Sequence, residues 1–224
     1  MTRVMAFFFF DLQCLLVLLS FLFSIPLIKY SNQKIMKSFI IYTTIGLIVM
    51  IPLFLMSHSF YRISFADKLN NYSLVFGYSF LSVFLIKIMP DKKGQFLLWI
   101  IFFILLFVII VDIFSNNSYS PNHSAFAFNH FGLIILSLVY LYKTFNNISD
   151  INILHLPGFW IVMGVFFCST VSFPIYSLLD YFLKDSFLFK HSFLLSYAPT
   201  FSYSVMYLLF IKGFICAMQQ KKIY

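Results

Sequence analysis

A chain of 224 residues that is 62% hydrophobic, 22% aromatic and only 10% charged lies far from the mixture of a water-soluble domain, in which about a quarter of residues are charged. Its formal charge of +8 rests on 15 Lys and Arg against 7 acids, and no basic stripe, zinc-finger spacing or RNA-binding signature accompanies it, so a nucleic-acid partner is not expected. Anionic headgroups balance such a charge, and the partner expected first is the lipid bilayer.

A spanning helix needs about 20 mostly apolar residues to cross roughly 30 Å of hydrocarbon. Seven stretches reach that length: 4–28, 38–57, 71–89, 96–114, 121–143, 157–180 and 193–216. The segment FLLWIIFFILLFVIIV, Phe96 to Val111, is apolar on every side rather than alternating, which excludes an outer-membrane barrel. The expected fold is all-α, a seven-transmembrane-helix bundle forming one integral membrane domain over 1–224.

In chain order, the first span follows Arg3 and is interrupted by Asp11; without an A-x-A cleavage pattern it reads as a retained span rather than a signal peptide. The second contains Pro52. The third carries Asn71, Tyr78 and Ser82 on one line, and the fourth offers almost nothing polar before Asp112, so it is expected against lipid. Segments 58–70 and 181–192 mix Phe, Tyr and Lys and read as loops resting in the outer interface.

The fifth span opens with SPNHSAFAFNHFG, in which Ser120 before Pro121 predicts a helix start near Pro121. His123 and His130 are seven residues apart, on one face but separated by about 10.5 Å of rise. That spacing misses the three- or four-residue separation of a zinc pair, so no metal and no cofactor is expected. The short connection between spans four and five makes them a hairpin that brings Asp112 to the level of His123. His130 lies deeper, where ionisable groups face protein or water rather than lipid, and a polar contact with Asp11 of the first span is expected.

Spans six and seven each carry a polar stripe at helical spacing: Ser169, Ser172, Tyr176 and Asp180, then Ser196, Thr200, Tyr203 and Tyr207. Pro52, Pro174 and Pro199 fall in the outer third of their spans, where each frees a carbonyl. Two readings stay open. The stripes are interhelical glue, or Asp11, His123, His130, Asp112, Tyr176, Asp180, Thr200 and Tyr203 line a polar cavity in the outer half.

With the N-terminus outside and the C-terminus cytoplasmic, the inner side collects Lys29, Lys34, Lys37, Lys87, Lys92, Lys93, Lys143, Lys212, Lys221 and Lys222, and the outer side keeps Arg3, Arg62, Lys68, Lys184 and Lys190. Cys14, Cys168 and Cys216 lack CxxC spacing and fall at different depths, which argues against a disulfide.

FGLIILSLVYLYKTFNN, LPGFWIVMGVFF and MYLLFIKGFICA together resemble the small, functionally uncharacterised seven-span integral membrane proteins of bacteria, whose membrane region is similar to that of some histidine-kinase sensors. The resemblance runs from about Asn71 onward and departs at Ser79, where such proteins often carry an acid. It implies a sensor or accessory subunit in the bacterial inner membrane, working with a larger membrane or signalling protein. A small-solute transporter is the alternative, since broken helices with midplane polar groups suit alternating access. An intramembrane enzyme is the second alternative, though no catalytic residue is identified: the chain has no glutamate, no G-x-S-x-G and no H-E-x-x-H. Lys212 sits too near the inner end of its span for a retinal Schiff base.

Overall fold

Inside hydrocarbon a main-chain amide finds no water, so each apolar stretch satisfies its N–H and C=O groups within itself by coiling. The computed structural model describes residues 2–30, 34–58, 64–89, 92–115, 122–147, 153–184 and 186–220, with side chains at 11–29, 36–51, 71–89, 92, 94–115, 122–146, 153–179, 181 and 197–219. The elements are α1 (Thr2–Ser24), α2 (Leu27–Tyr30), α3 (Lys34–Lys37), α4 (Phe39–His58), α5 (Ser64–Ile88), α6 (Lys92–Ser115), α7 (His123–Asn147), a 3-10 turn (Ile153–His155), α8 (Pro157–Lys184) and α9 (Ser186–Gln220). No strand occurs among the described residues.

Six helical stretches are long and apolar enough to cross a membrane: Asp11–Lys29, Asn71–Ile88, Gly94–Ser115, His123–Asn146, Pro157–Leu179 and Tyr197–Gln219. The described apolar part of α4, Phe39–Ile51, is shorter. The molecule is therefore an all-helical, multi-pass membrane protein.

Three boundaries differ from the sequence expectation. The first span reaches Lys29, close to its expected end, but its helix is interrupted, ending at Ser24 and resuming at Leu27 beyond a turn at Ile25–Pro26; a proline has no N–H to extend it. The presumed loops 58–70 and 181–192 are largely helical, with 64–70 in α5, 181–184 in α8 and 186–192 in α9. Neither helical stretch contains Gly or Pro, so nothing stops the coil.

The third difference is the start of α7. Asn122 caps the helix that starts at His123: its Oδ1 accepts the Ala125 N–H at 3.4 Å and the Ser124 hydroxyl at 2.8 Å. Residues 120 and 121 lie outside the described set.

Around the bundle α1 packs on α4, α4 on α5, α5 on α7, α7 on α8, α8 on α9, and α9 returns to α1, with α6 laid against α5 and α7 from outside. Phe39 of α4 joins three helices as an aromatic hub, edge-on to Phe80 and Phe84 of α5 and to Phe210 and Phe214 of α9 at centroid distances of 5.3, 4.6, 5.5 and 5.5 Å. The α1–α4 contact is pinned by the Ser24 and Thr43 hydroxyls at 3.0 Å.

The closest approach is that of the antiparallel pair α8 and α9. A Cβ on Gly164 would stand 3.1 Å from the Met206 carbonyl oxygen, and one on Gly213 would stand 2.9 Å from the Ile161 side chain and 3.0 Å from the Pro157 oxygen. Gly164, Cys168 and Ser172 recur every fourth residue on α8, a row of small side chains of the kind that lets membrane helices meet.

The two ends of the bundle are closed by different side chains. At one end Gly158 sits under the Tyr140 hydroxyl and Ile88, the Trp160 indole donates to the Leu154 carbonyl at 2.8 Å, and the Lys212 ammonium stands 5.8 Å from the Trp160 ring. Lys87, Lys92 and Lys143 belong to this end through their helix termini. The opposite end is closed by Asp112, whose carboxylate accepts the Ser124 hydroxyl at 2.7 Å and whose carbonyl accepts the Asn122 amide at 2.8 Å. This confirms the α6–α7 hairpin and the shared level of Asp112 and the His123 turn.

Candidate functional site: a buried polar cluster around His130

The polar stripes meet where α7, α8 and α9 converge. His130 is 2% exposed. Its Nδ1 lies 3.4 Å from the Ser169 hydroxyl, and its Nε2 lies 3.3 Å from the Tyr203 hydroxyl. Tyr176 stacks on the imidazole with centroids 5.6 Å apart and planes 5° from parallel, and Phe126 covers Tyr176 at 5.0 Å. An imidazole bracketed by two hydroxyls can be bonded in either tautomer, because a hydroxyl donates or accepts.

One turn further along the seam, the Ser172 and Ser202 hydroxyls are 3.2 Å apart, and Ser202 is also 3.5 Å from the Cys168 sulfur and 2.7 Å from the Pro199 carbonyl. On the side facing α4, the Tyr42 and Tyr207 hydroxyls interact. The result is a buried cluster of hydroxyls, a thiol and an imidazole where α7, α8 and α9 meet.

Of the residues singled out from sequence, His130, Tyr176 and Tyr203 come together here. The Asp11 contact is replaced: both His130 nitrogens face hydroxyls, while Asp11 is exposed on α1, a helix that packs on α4 and α9. His123 and Asp112 stand apart at the hairpin end, half-buried. Thr200 is half-buried on α9, and its carbonyl accepts the Ser204 hydroxyl at 3.0 Å. The Asp180 side chain lies outside the described residues.

Sequence reasoning missed Cys168, Ser202 and Tyr42. Cys168 and Ser202 had a readable signal, since Gly164, Cys168 and Ser172 form a four-residue repeat of small side chains and Ser202 follows Pro199 by one turn. Tyr42 had none, because its role arises only when α4 meets α9.

All three cysteines are free thiols, and among the described residues no three His, Cys, Asp or Glu side chains gather as a metal-holding group. Chemically, the cluster offers hydrogen bonding and tautomer exchange without a charged partner on the imidazole. Compared with known proteins, the chain matches no family model, no curated protein and no solved structure.

Proposed function

We propose that the chain is a seven-span bacterial inner-membrane protein, N-terminus outside and C-terminus cytoplasmic, acting as a sensor or accessory subunit of a larger membrane or signalling protein. The observation supporting this reading is the His130 cluster: three helices are tied through one imidazole whose two nitrogens are held by hydroxyls from different helices. Such a joint makes the relative position of α7, α8 and α9 depend on one set of weak bonds, so an event that breaks them shifts a helix face. With short connections between the helices, those faces and the lysine-bearing end are the surfaces through which a partner would be engaged.

Affinity purification in mild detergent tests the reading. It predicts copurification of a larger membrane or signalling protein and loss of a partner-dependent response in His130→Phe with assembly retained. Recovery of the chain alone under every mild condition, or an unaltered response in the variant, would count against it. Side-specific labelling is expected to place Lys92 and Lys93 opposite His123.

A further inference from the structure

Asn71, Tyr78 and Ser82 share one face of α5, at i, i+7 and i+11, and are 3%, 0% and 0% exposed. Among the described residues, Asn71 Oδ1, the Tyr78 hydroxyl and Ser82 Oγ meet no hydrogen-bond partner of standard length and angle; the Tyr78 and Ser82 hydroxyls, one turn apart, interact without closing such a bond. On α7, which packs against α5 where the Tyr78 ring crosses Gly132 at 2.9 Å from a Cβ position, Asn129 Oδ1 is in the same condition.

Helical Ser and Thr residues usually have an easy escape, the carbonyl three or four residues back. Elsewhere several take it: Thr43 to Phe39, Thr170 to Phe166, Ser177 to Phe173 and Ser204 to Thr200, while Ser20 on α1 does not. Ser82 has the same option and does not use it. Four polar atoms on two adjoining helices, each without a standard hydrogen bond among the described residues, share one chemical need.

We propose that the α5–α7 seam is a hydration site, in which ordered water bonded to Asn71, Tyr78, Ser82 and Asn129 is an integral part of the bundle. Buried water characteristically bridges polar groups that the protein leaves without partners, typically making about three hydrogen bonds. Asn129 immediately precedes His130 on α7, so the site borders the hydroxyl–imidazole cluster from the α5 side. The inference is independent of the sensor reading.

X-ray hydroxyl-radical footprinting of the full-length protein in lipid nanodiscs tests it, because bound water is activated in place and marks side chains that bulk solvent does not reach. Tyr78 is expected to be modified at least about ten times faster than Phe84, a comparably buried ring on the same helix. Removing a hydroxyl that anchors water lowers the melting temperature, whereas removing a dry, unpaired hydroxyl raises it. Tyr78→Phe, and Ser82→Ala should the first variant not assemble, are therefore expected to melt lower than the parent. Labelling of Tyr78 no faster than Phe84, or a melting temperature that holds or rises, overturns the proposal.

Discussion

Helices α6 and α7 form a hairpin, yet they occupy opposite extremes of the bundle. The Gly94–Ser115 stretch of α6 has the highest hydropathy of the six candidate spans and only 22% of it is buried; His123–Asn146 of α7 is among the more polar and 61% of it is buried. In a water-soluble protein the order would be reversed. Lipid tails are as apolar as Leu or Phe, so hydrophobicity places a helix in the membrane without choosing its neighbours, and the choice falls to small residues and hydrogen bonds. On α7, His130, Ser137 and Thr144 recur every seventh residue and are all buried, whereas α6 turns Phe96, Phe103, Phe107 and Phe114 outward.

The contrast breaks most visibly if close helix approach is not what holds the polar side together. Gly164→Leu and Gly213→Leu force a branched side chain into seams where even a Cβ meets backbone oxygen at 3.1 and 3.0 Å. Each is expected to cost about 3 kcal/mol or more by overpacking, read as loss of folded protein in detergent thermal melts and denaturant titration. A tolerated Gly213→Leu would mean that α8 and α9 are free to separate.

His130→Ala is expected to follow, at about 2–4 kcal/mol, because it opens a cavity beneath Tyr176 and leaves the Ser169 and Tyr203 hydroxyls without their shared partner. His130→Phe keeps the stack and should recover part of the loss. Equal melting temperatures for both variants would show that stacking contributes nothing.

A double-mutant cycle between Ser172→Ala and Ser202→Ala sharpens the point at smaller scale. Hydroxyls 3.2 Å apart in the seam are expected to couple by about 0.6 kcal/mol, the usual value for an interhelical hydrogen bond in a membrane. A coupling of zero would reduce the seam to shape alone.

The helical membrane class was legible at once, because runs such as Phe96–Val111 admit no other stable state in hydrocarbon. The α8 stripe was legible too, since Ser169, Ser172 and Tyr176 follow the helical period and the period fixes the face. What periodicity does not supply is the partner. His130 could be recognised as interior, but depth alone suggested Asp11 when the lateral order of helices assigns Ser169 and Tyr203 instead. The cap at Asn122 was missed because Ser120–Pro121 and Asn122–His123 both satisfy the chemistry of a helix start, and hydrogen bonds to Asp112 favour the second. The break at Pro26 could be read from the residue itself; the apolar run around it concealed the signal.

The smallest effect belongs to α6. Phe107 is 69% exposed on the outer face of a helix that touches only α5 and α7 among its main neighbours. Phe107→Leu exchanges one apolar surface for another against acyl chains, and the cost is expected to lie within about 0.5 kcal/mol, measured by the same melts that register Gly213→Leu. If the α6 variant falls as far as the α9 variant, the outer phenylalanines must be packed against protein, and α6 would be an interface rather than the lipid-facing wall of the bundle.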